Sequence, residues 1–194
     1  MKINIWEMTF LVCMVVSFVI RIPYDSKYRK NTFTDNRKTN LEKFLLAAVG
    51  IGMMLIPLIY IFSRVFDFAN YSGESWMGFL GVGAFLSGIY FFAKSHADLG
   101  LNWSPTLQIR EKHSLVTVGV YKYIRHPMYS SIWLWAIAQA FLLQNWIAGF
   151  SGIVAFGLMY FLRVPQEEKM MLDHFGEEYR GYMKQTGRVF PRIW

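Results

Sequence analysis

The stretch Pro127–Leu162, PMYSSIWLWAIAQAFLLQNWIAGFSGIVAFGLMYFL, runs for 36 residues without an Asp, Glu, Lys or Arg. As one α-helix it would be about 54 Å long at 1.5 Å per residue, against a membrane hydrocarbon core of about 30 Å. It therefore has to fold back on itself, and Gln144-Asn145, near its middle, mark the turn. The reading is a helical hairpin of two short membrane spans, Met128–Leu143 and Trp146–Leu162.

Working outward, two further segments, Phe44–Phe62 and Ser75–Ala93, are also free of charge. They define spans over Leu41–Phe62, kinked at Pro57, and Ser75–Ala93, while Ile5–Ile22 forms a first span with Glu7 and Arg21 near its ends. The expected fold class is all-α: an integral membrane bundle of five transmembrane helices with a cytosolic C-terminal helix, in one membrane domain over 1–194. Three spans occupy 1–99, and a loop, hairpin and C-terminal helix occupy 100–194. Mean hydropathy of +0.26 is modest for such a protein because the 17% of charged residues is segregated into the loops. The single cysteine, Cys13, rules out an intrachain disulfide and reads as a small apolar side chain. No basic n-region with a small-residue cleavage site opens the sequence, so no removable signal peptide is expected.

The net charge of +7 does not point to nucleic acid, since the basic residues flank apolar spans and no nucleic-acid motif is present. They set topology instead. Lys27, Arg29, Lys30, Arg37 and Lys38 follow the first span; Arg110, Lys112, Lys122 and Arg125 precede the hairpin; Lys169, Arg180, Lys184, Arg188 and Arg192 follow it. The loop 63–74 has one basic residue and the hairpin turn none. All three basic segments then share one side, with the N-terminus outside and the C-terminus cytosolic.

Small residues four apart (Ala48 and Gly52, Ala84 and Gly88, Ser151 and Ala155) suit close packing of helices in lipid. Gly81-Val82-Gly83 lacks the preceding strand that a nucleotide-binding fingerprint needs. Pro165 is expected to open a separate helix over 166–185, with Met171, Phe175, Tyr179 and Tyr182 on its apolar face.

Chemistry-bearing residues gather at the cytosolic ends of the hairpin. One cluster is His113-Ser114-Leu115-Val116, Gly119-Val120-Tyr121 and Arg125-His126-Pro127-Met128-Tyr129; the other is Arg163, Glu167-Glu168, Phe175-Gly176 and Tyr179. The hairpin makes neighbours of residues about 40 positions apart in sequence. His126-Pro127 also reads as the turn that starts a helix, Arg163 as an end-of-span anchor, and the two glutamates as residues favoured in a first helical turn. The scattered histidines and lone cysteine have no metal-ligand spacing, so no metal is expected.

In order and behind a membrane hairpin, His113-Ser114-Leu115-Val116-x-x-Gly119-Val120-Tyr121, Arg125-His126-Pro127-x-Tyr129, Arg163-x-x-x-Glu167-Glu168, Phe175-Gly176 and Pro191 resemble the isoprenylcysteine carboxyl methyltransferase family, in a short form of prokaryotic type. The resemblance covers roughly residues 100–194. It implies S-adenosylmethionine as methyl donor, S-adenosylhomocysteine as product, and the carboxylate of a lipophilic or prenylated acceptor entering from the bilayer. On that reading Leu115, Val116, Tyr121 and Tyr129 offer an apolar slot for adenine, Glu167 an acceptor for the ammonium group, and His126 or loop N–H groups donors for the cofactor carboxylate. Gln108, His113, Ser114, Pro127 and Met128 complete the expected cofactor site.

Arg163 would hold the acceptor carboxylate through its planar fork. A carboxylate is already ionised at neutral pH, so its methylation needs alignment more than acid–base help. An amine acceptor would need a base, for which Glu168 or His126 is placed. Arg163 and Glu168 are accordingly the expected catalytic residues. Partly shared motifs leave two alternatives: a phospholipid N-methyltransferase, and an NADPH-dependent membrane reductase of the sterol type.

Overall fold

A computed structural model describes residues 3–28, 33–37, 39–110 and 114–192. Helix α1 spans Ile5–Tyr28; a short strand β1, Phe33–Asn36, follows; α2 covers Asn40–Ser63 and α3 Ser75–Leu99. Strand β2, Gln108–Arg110, precedes α4, Pro127–Leu143; α5 is Trp146–Phe175 and α6 Glu177–Gln185. Four of these helices, α1, α2, α3 and α5, are long and apolar enough to cross a membrane, and α4 is a shorter apolar helix. The chain is a multi-pass membrane protein.

The helical fold class holds, with one short addition in the loops: β1 and β2 pair antiparallel, Asn36 opposite Gln108 and Asp35 opposite Ile109, with an irregularity between Asp35 and Phe33. These strands lie in loops between spans, where backbone groups released from helices find partners in each other. One expectation is corrected: Pro165 opens no new helix. It sits inside α5, exposed, where the carbonyl left without its N–H partner belongs to the exposed Phe161. The break comes instead at Gly176, whose φ of +54° is readily reached only by glycine. At about 1.5 Å per residue, the 30 residues of α5 extend about 45 Å, so its second half reaches beyond a hydrocarbon core of about 30 Å.

Pro57 shapes α2 as its chemistry requires. Lacking an N–H, it disrupts the helical ladder, and residues Ile51–Leu55 take a π turn in which the Ile56 N–H reaches Ile51 O. The carbonyl of Gly52 is thereby released. It accepts hydrogen bonds from Gln139 Nε2 of α4 at 3.0 Å and from Ser151 Oγ of α5 at 2.6 Å. A Cβ on Gly52 would lie 2.6 Å from Ser151 O and 2.7 Å from Ala155 Cβ, so the small residues of α2 and α5 meet each other. Gly88 of α3 allows a similar approach to Ser131 and Trp135 of α4.

The hairpin turn lies where the sequence places it. Gln144 takes the left-handed conformation, and the Asn145 side chain caps α5 by accepting from the N–H groups of Ile147 and Ala148. Asn145 Nδ2 also donates to Phe66 O and Asn70 Oδ1. At the same end Arg64 pairs with the buried Glu7. At the opposite end β1 meets β2, Arg37 pairs with Asp173, and Gly187 bridges Ile124. Among the described residues, the three basic segments therefore share one end of the bundle. The apolar core has two main clusters. One, around Phe10, Ile61, Phe85 and Leu142, joins α1 to the hairpin; the other, around Leu45, Tyr129, Phe156 and Met159, abuts the cavity described next.

Candidate active site

A cavity opens at the basic end of the bundle. Its wall is drawn from α1 through Arg21, from α2 through Leu46, from the loop 99–121, from the start of α4, and from α5 and α6. Gln108, Ser114, Leu115, Val116, Tyr121, His126, Met128, Tyr129, Arg163 and Glu167 all line it. His113 lies outside the described residues. Pro127 is buried as the first residue of α4 and does not line the cavity.

His126 and Pro127 act locally as a hinge between loop and helix. The residue before proline avoids the helical region, and His126 has φ −126° and ψ 56° while Pro127 occupies the first turn. The His126 ring stands edge-on to Tyr129, with Nδ1 3.7 Å from Glu167 Oε1 and Nε2 3.4 Å from Glu168 Oε1. Tyr129 Oη donates to Glu167 Oε2 at 2.7 Å, which ties α4 to α5. Glu167 Oε1 accepts no hydrogen bond among the described residues, and its side chain is about one-quarter exposed.

Arg163 is 6% exposed. Its Nη2 donates to Pro105 O at 2.9 Å and lies 3.5 Å from Glu42 Oε1. Its Nε is 3.8 Å from Glu167 Oε2 and has no hydrogen-bond partner among the described residues. A buried guanidinium with a free N–H at a cavity wall is a ready donor to an anionic or carbonyl oxygen.

The two adjacent glutamates have diverged. Glu168 does not line the cavity; it is buried among cations. Its Oε1 accepts from Arg125 Nε at 2.6 Å and Arg188 Nε at 3.1 Å, and its Oε2 accepts from Arg188 Nη2 at 2.6 Å. Around this clamp the tail is laid against the motif loop: Arg125 N donates to Gly187 O and His126 N to Arg188 O, both at 2.9 Å. Ser130 Oγ donates to Val189 O at 2.6 Å. From the sequence Arg188 reads only as a topological charge, because nothing local ties it to residues some 60 positions earlier.

Other wall residues escaped the sequence reading. Trp103 donates from Nε1 to Met128 Sδ at 3.3 Å, and the Arg21 guanidinium sits 5.1 Å from its ring centroid. Tyr182 Oη donates to Tyr121 O at 2.6 Å, drawing α6 over the loop. Tyr179 and Tyr182 were visible as an apolar helix face, but the face had no assigned target. Burial pushes the phenols of Tyr121, Tyr179 and Tyr182 well above their usual range, so this part of the wall is neutral. At Gly119 a Cβ would collide with the Asp98 carboxylate, which accepts the Val120 N–H at 2.9 Å and fixes the loop entering Tyr121.

The cavity thus combines aromatic and thioether surface, one half-free carboxylate and one buried guanidinium with an open N–H. It suits a ligand with a flat apolar ring and a cationic group, beside an oxygen anion. Residues 80–173 match the model of the isoprenylcysteine carboxyl methyltransferase family. The chain is similar to protein-S-isoprenylcysteine O-methyltransferase B of Arabidopsis thaliana, at 26% identity over 80% of each chain. It is also similar to the Homo sapiens protein-S-isoprenylcysteine O-methyltransferase, at 30% identity over 87% of this chain and 61% of that one. The solved structure of a eukaryotic intramembrane Ras methyltransferase shares the fold, with a TM-score of 0.53, 22% identity, and coverage of 82% of this chain and 55% of that one. The chain thus spans the greater part of the plant relative but little more than half of the solved one. With its motifs collected around one cavity beside a helical hairpin, the chain is similar to the isoprenylcysteine carboxyl methyltransferase family in sequence and in fold.

Proposed function

We propose that this chain transfers a methyl group from S-adenosylmethionine to the carboxylate of a lipophilic acceptor of the isoprenylcysteine type. The observation that carries the reading is the buried Arg163, whose Nε–H has no partner among the described residues and whose neighbour Glu167 keeps one carboxylate oxygen free. A donor for the acceptor's oxygen and an acceptor for the cofactor's ammonium group are then side by side.

The bound donor supplies an electrophilic methyl group on a sulfonium sulfur, which keeps the bonding pair as the carboxylate oxygen takes the methyl. The protein's residues need only bind, orient and exclude water, since no proton moves. Leu115, Val116, Tyr121 and Tyr129 offer the apolar slot; Glu167, fixed by Tyr129, takes the ammonium group; His126 faces the same carboxylate. Arg163 holds the acceptor carboxylate. Glu168, closed off by Arg125 and Arg188, positions the motif loop and tail and does not take part in chemistry.

In this reading α4 crosses the membrane as a fifth span, which its 17 residues just permit. The basic end, cavity and α6 face the cytosol and the N-terminus lies outside, as the loop charges favour. Residues 100–194 form the catalytic region. The first three spans support it and contribute Arg21, Glu42 and Leu46 around the site. The acceptor arrives from the bilayer while the cofactor arrives from water, and no metal takes part.

Purified protein supplied with methyl-labelled donor should label a prenylated cysteine that bears a free carboxylate. Labelling of an ethanolamine phospholipid alone would overturn the carboxylate assignment. In calorimetry S-adenosylhomocysteine should bind, and binding of NADPH alone would overturn the cofactor.

A further inference from the structure

We propose that Glu42, on α2 and outside the residues matched by the family model, is a positioning residue that sets the Arg163 guanidinium for its acceptor. The inference rests on Arg163 as the acceptor-binding residue for its functional consequence, though not for its geometry.

Glu42 is the third residue of α2 after the N-cap Thr39, whose hydroxyl accepts the Glu42 N–H at 3.1 Å. A glutamate at that place after a threonine cap ordinarily turns back to the cap's own N–H. Glu42 does not. Its side chain runs inward, is 4% exposed, and its Oε1 accepts the Leu107 N–H at 2.8 Å while standing 3.5 Å from Arg163 Nη2. Its Oε2 has no hydrogen-bond partner among the described residues. A local partner has been forgone for a buried one.

The consequence falls on Arg163. Leu107 and Pro105 belong to the same stretch of cavity wall. Pro105 O accepts Arg163 Nη2, and Glu42 holds the N–H of Leu107 two residues on. Glu42 therefore fixes both the guanidinium's charge partner and the carbonyl that anchors it. One edge of the fork is occupied, and the Nε–H is left without a partner. Leaving a buried carboxylate oxygen and a buried guanidinium N–H both unpaired is costly for stability. That cost is expected where a site is kept open for a ligand rather than optimised for folding.

The test uses the full chain in lipid nanodiscs, wild type and Glu42→Gln, which keeps an oxygen for Leu107 but removes the charge beside Arg163. The first reading is the NMR resonance of the Arg163 Nε–H, identified by its loss in Arg163→Lys. It should be sharp and slow to exchange in the wild type and broadened or lost in Glu42→Gln. An unchanged resonance overturns the positioning role, whether or not the protein methylates the expected acceptor. The second reading is kinetic. Glu42→Gln should reduce kcat/KM for a prenylated cysteine at least about tenfold while changing S-adenosylhomocysteine affinity less than about threefold. Combined with Arg163→Lys, its effect should be far smaller than in the wild-type background, since interacting residues are non-additive. Additive effects, or parallel losses of both ligands together with a lowered Tm, overturn the inference in favour of a purely structural role. A wild-type protein that binds S-adenosylhomocysteine but labels no prenylated cysteine overturns the acceptor assignment instead, with the NMR reading still deciding the geometry.

Discussion

Tyr129 and Glu167 stand 38 positions apart and are joined by a 2.7 Å hydrogen bond across the two arms of the helical hairpin. This bond leaves one oxygen of Glu167 free toward the cavity. Tyr129→Phe removes the donor but little volume. It should weaken S-adenosylhomocysteine binding by roughly tenfold, with a stability loss of about 1 kcal/mol, read by calorimetry and thermal melting.

Glu167 and Arg163 should separate kinetically. Glu167→Ala is expected to raise the Kd for S-adenosylhomocysteine by roughly tenfold or more, as a charge-assisted hydrogen bond is lost. Arg163→Ala should reduce turnover by about a hundredfold or more with cofactor affinity nearly intact. Lysine at 163 should not restore turnover, because it lacks the planar fork. Full activity in Arg163→Ala, measured by methyl transfer to a prenylated cysteine, would remove the residue from the reaction.

The Glu168 clamp should matter first for stability. Glu168→Ala leaves Arg125 and Arg188 without their shared carboxylate. For a buried pair that costs about 3–5 kcal/mol, discounted here because the Arg188 side chain is about half exposed. A lowered Tm should be accompanied by proteolytic sensitivity of the tail after Thr186, whose backbone is held against Arg125 and His126.

Two glycines of α2 only two positions apart, and so on opposite faces of the helix, should respond oppositely to alanine. In Gly52→Ala the new methyl group meets Ser151 O and Ala155 at under 3 Å. Overpacking of this kind costs about 1–3 kcal/mol. Gly50→Ala meets nothing within 4 Å and should be neutral or stabilising by up to about 1 kcal/mol. Unfolding in mixed detergent micelles distinguishes them.

Orientation can be read chemically. With Cys13 replaced by serine, a cysteine at the exposed Ser72 should react with a membrane-impermeant maleimide on intact cells. A cysteine at the exposed Lys184 should react only after the membrane is opened. The reverse pattern would invert the topology.

The sequence alone determined the hairpin, its turn at Gln144-Asn145, and the gathering of the three basic segments at one end. Charge-free runs have to be buried in lipid, and their lengths fix where the chain turns. It also marked part of the cavity's wall, because those residues sit in two clusters at the ends of consecutive helices, while the wall drawn from α1, α2 and the loop 99–107 carried no local signal. Only the tertiary structure decided how the glutamates divide. Glu167 and Glu168 are adjacent in sequence but about 100° apart around a helix, so one faces the cavity and the other meets Arg125 and Arg188. The pairing of β1 with β2 was likewise decided by partners distant in the chain. So was the inward turn of Glu42. Its local pattern favours a helix cap, and only the arrival of Leu107 and Arg163 from other elements gives its carboxylate a stronger alternative.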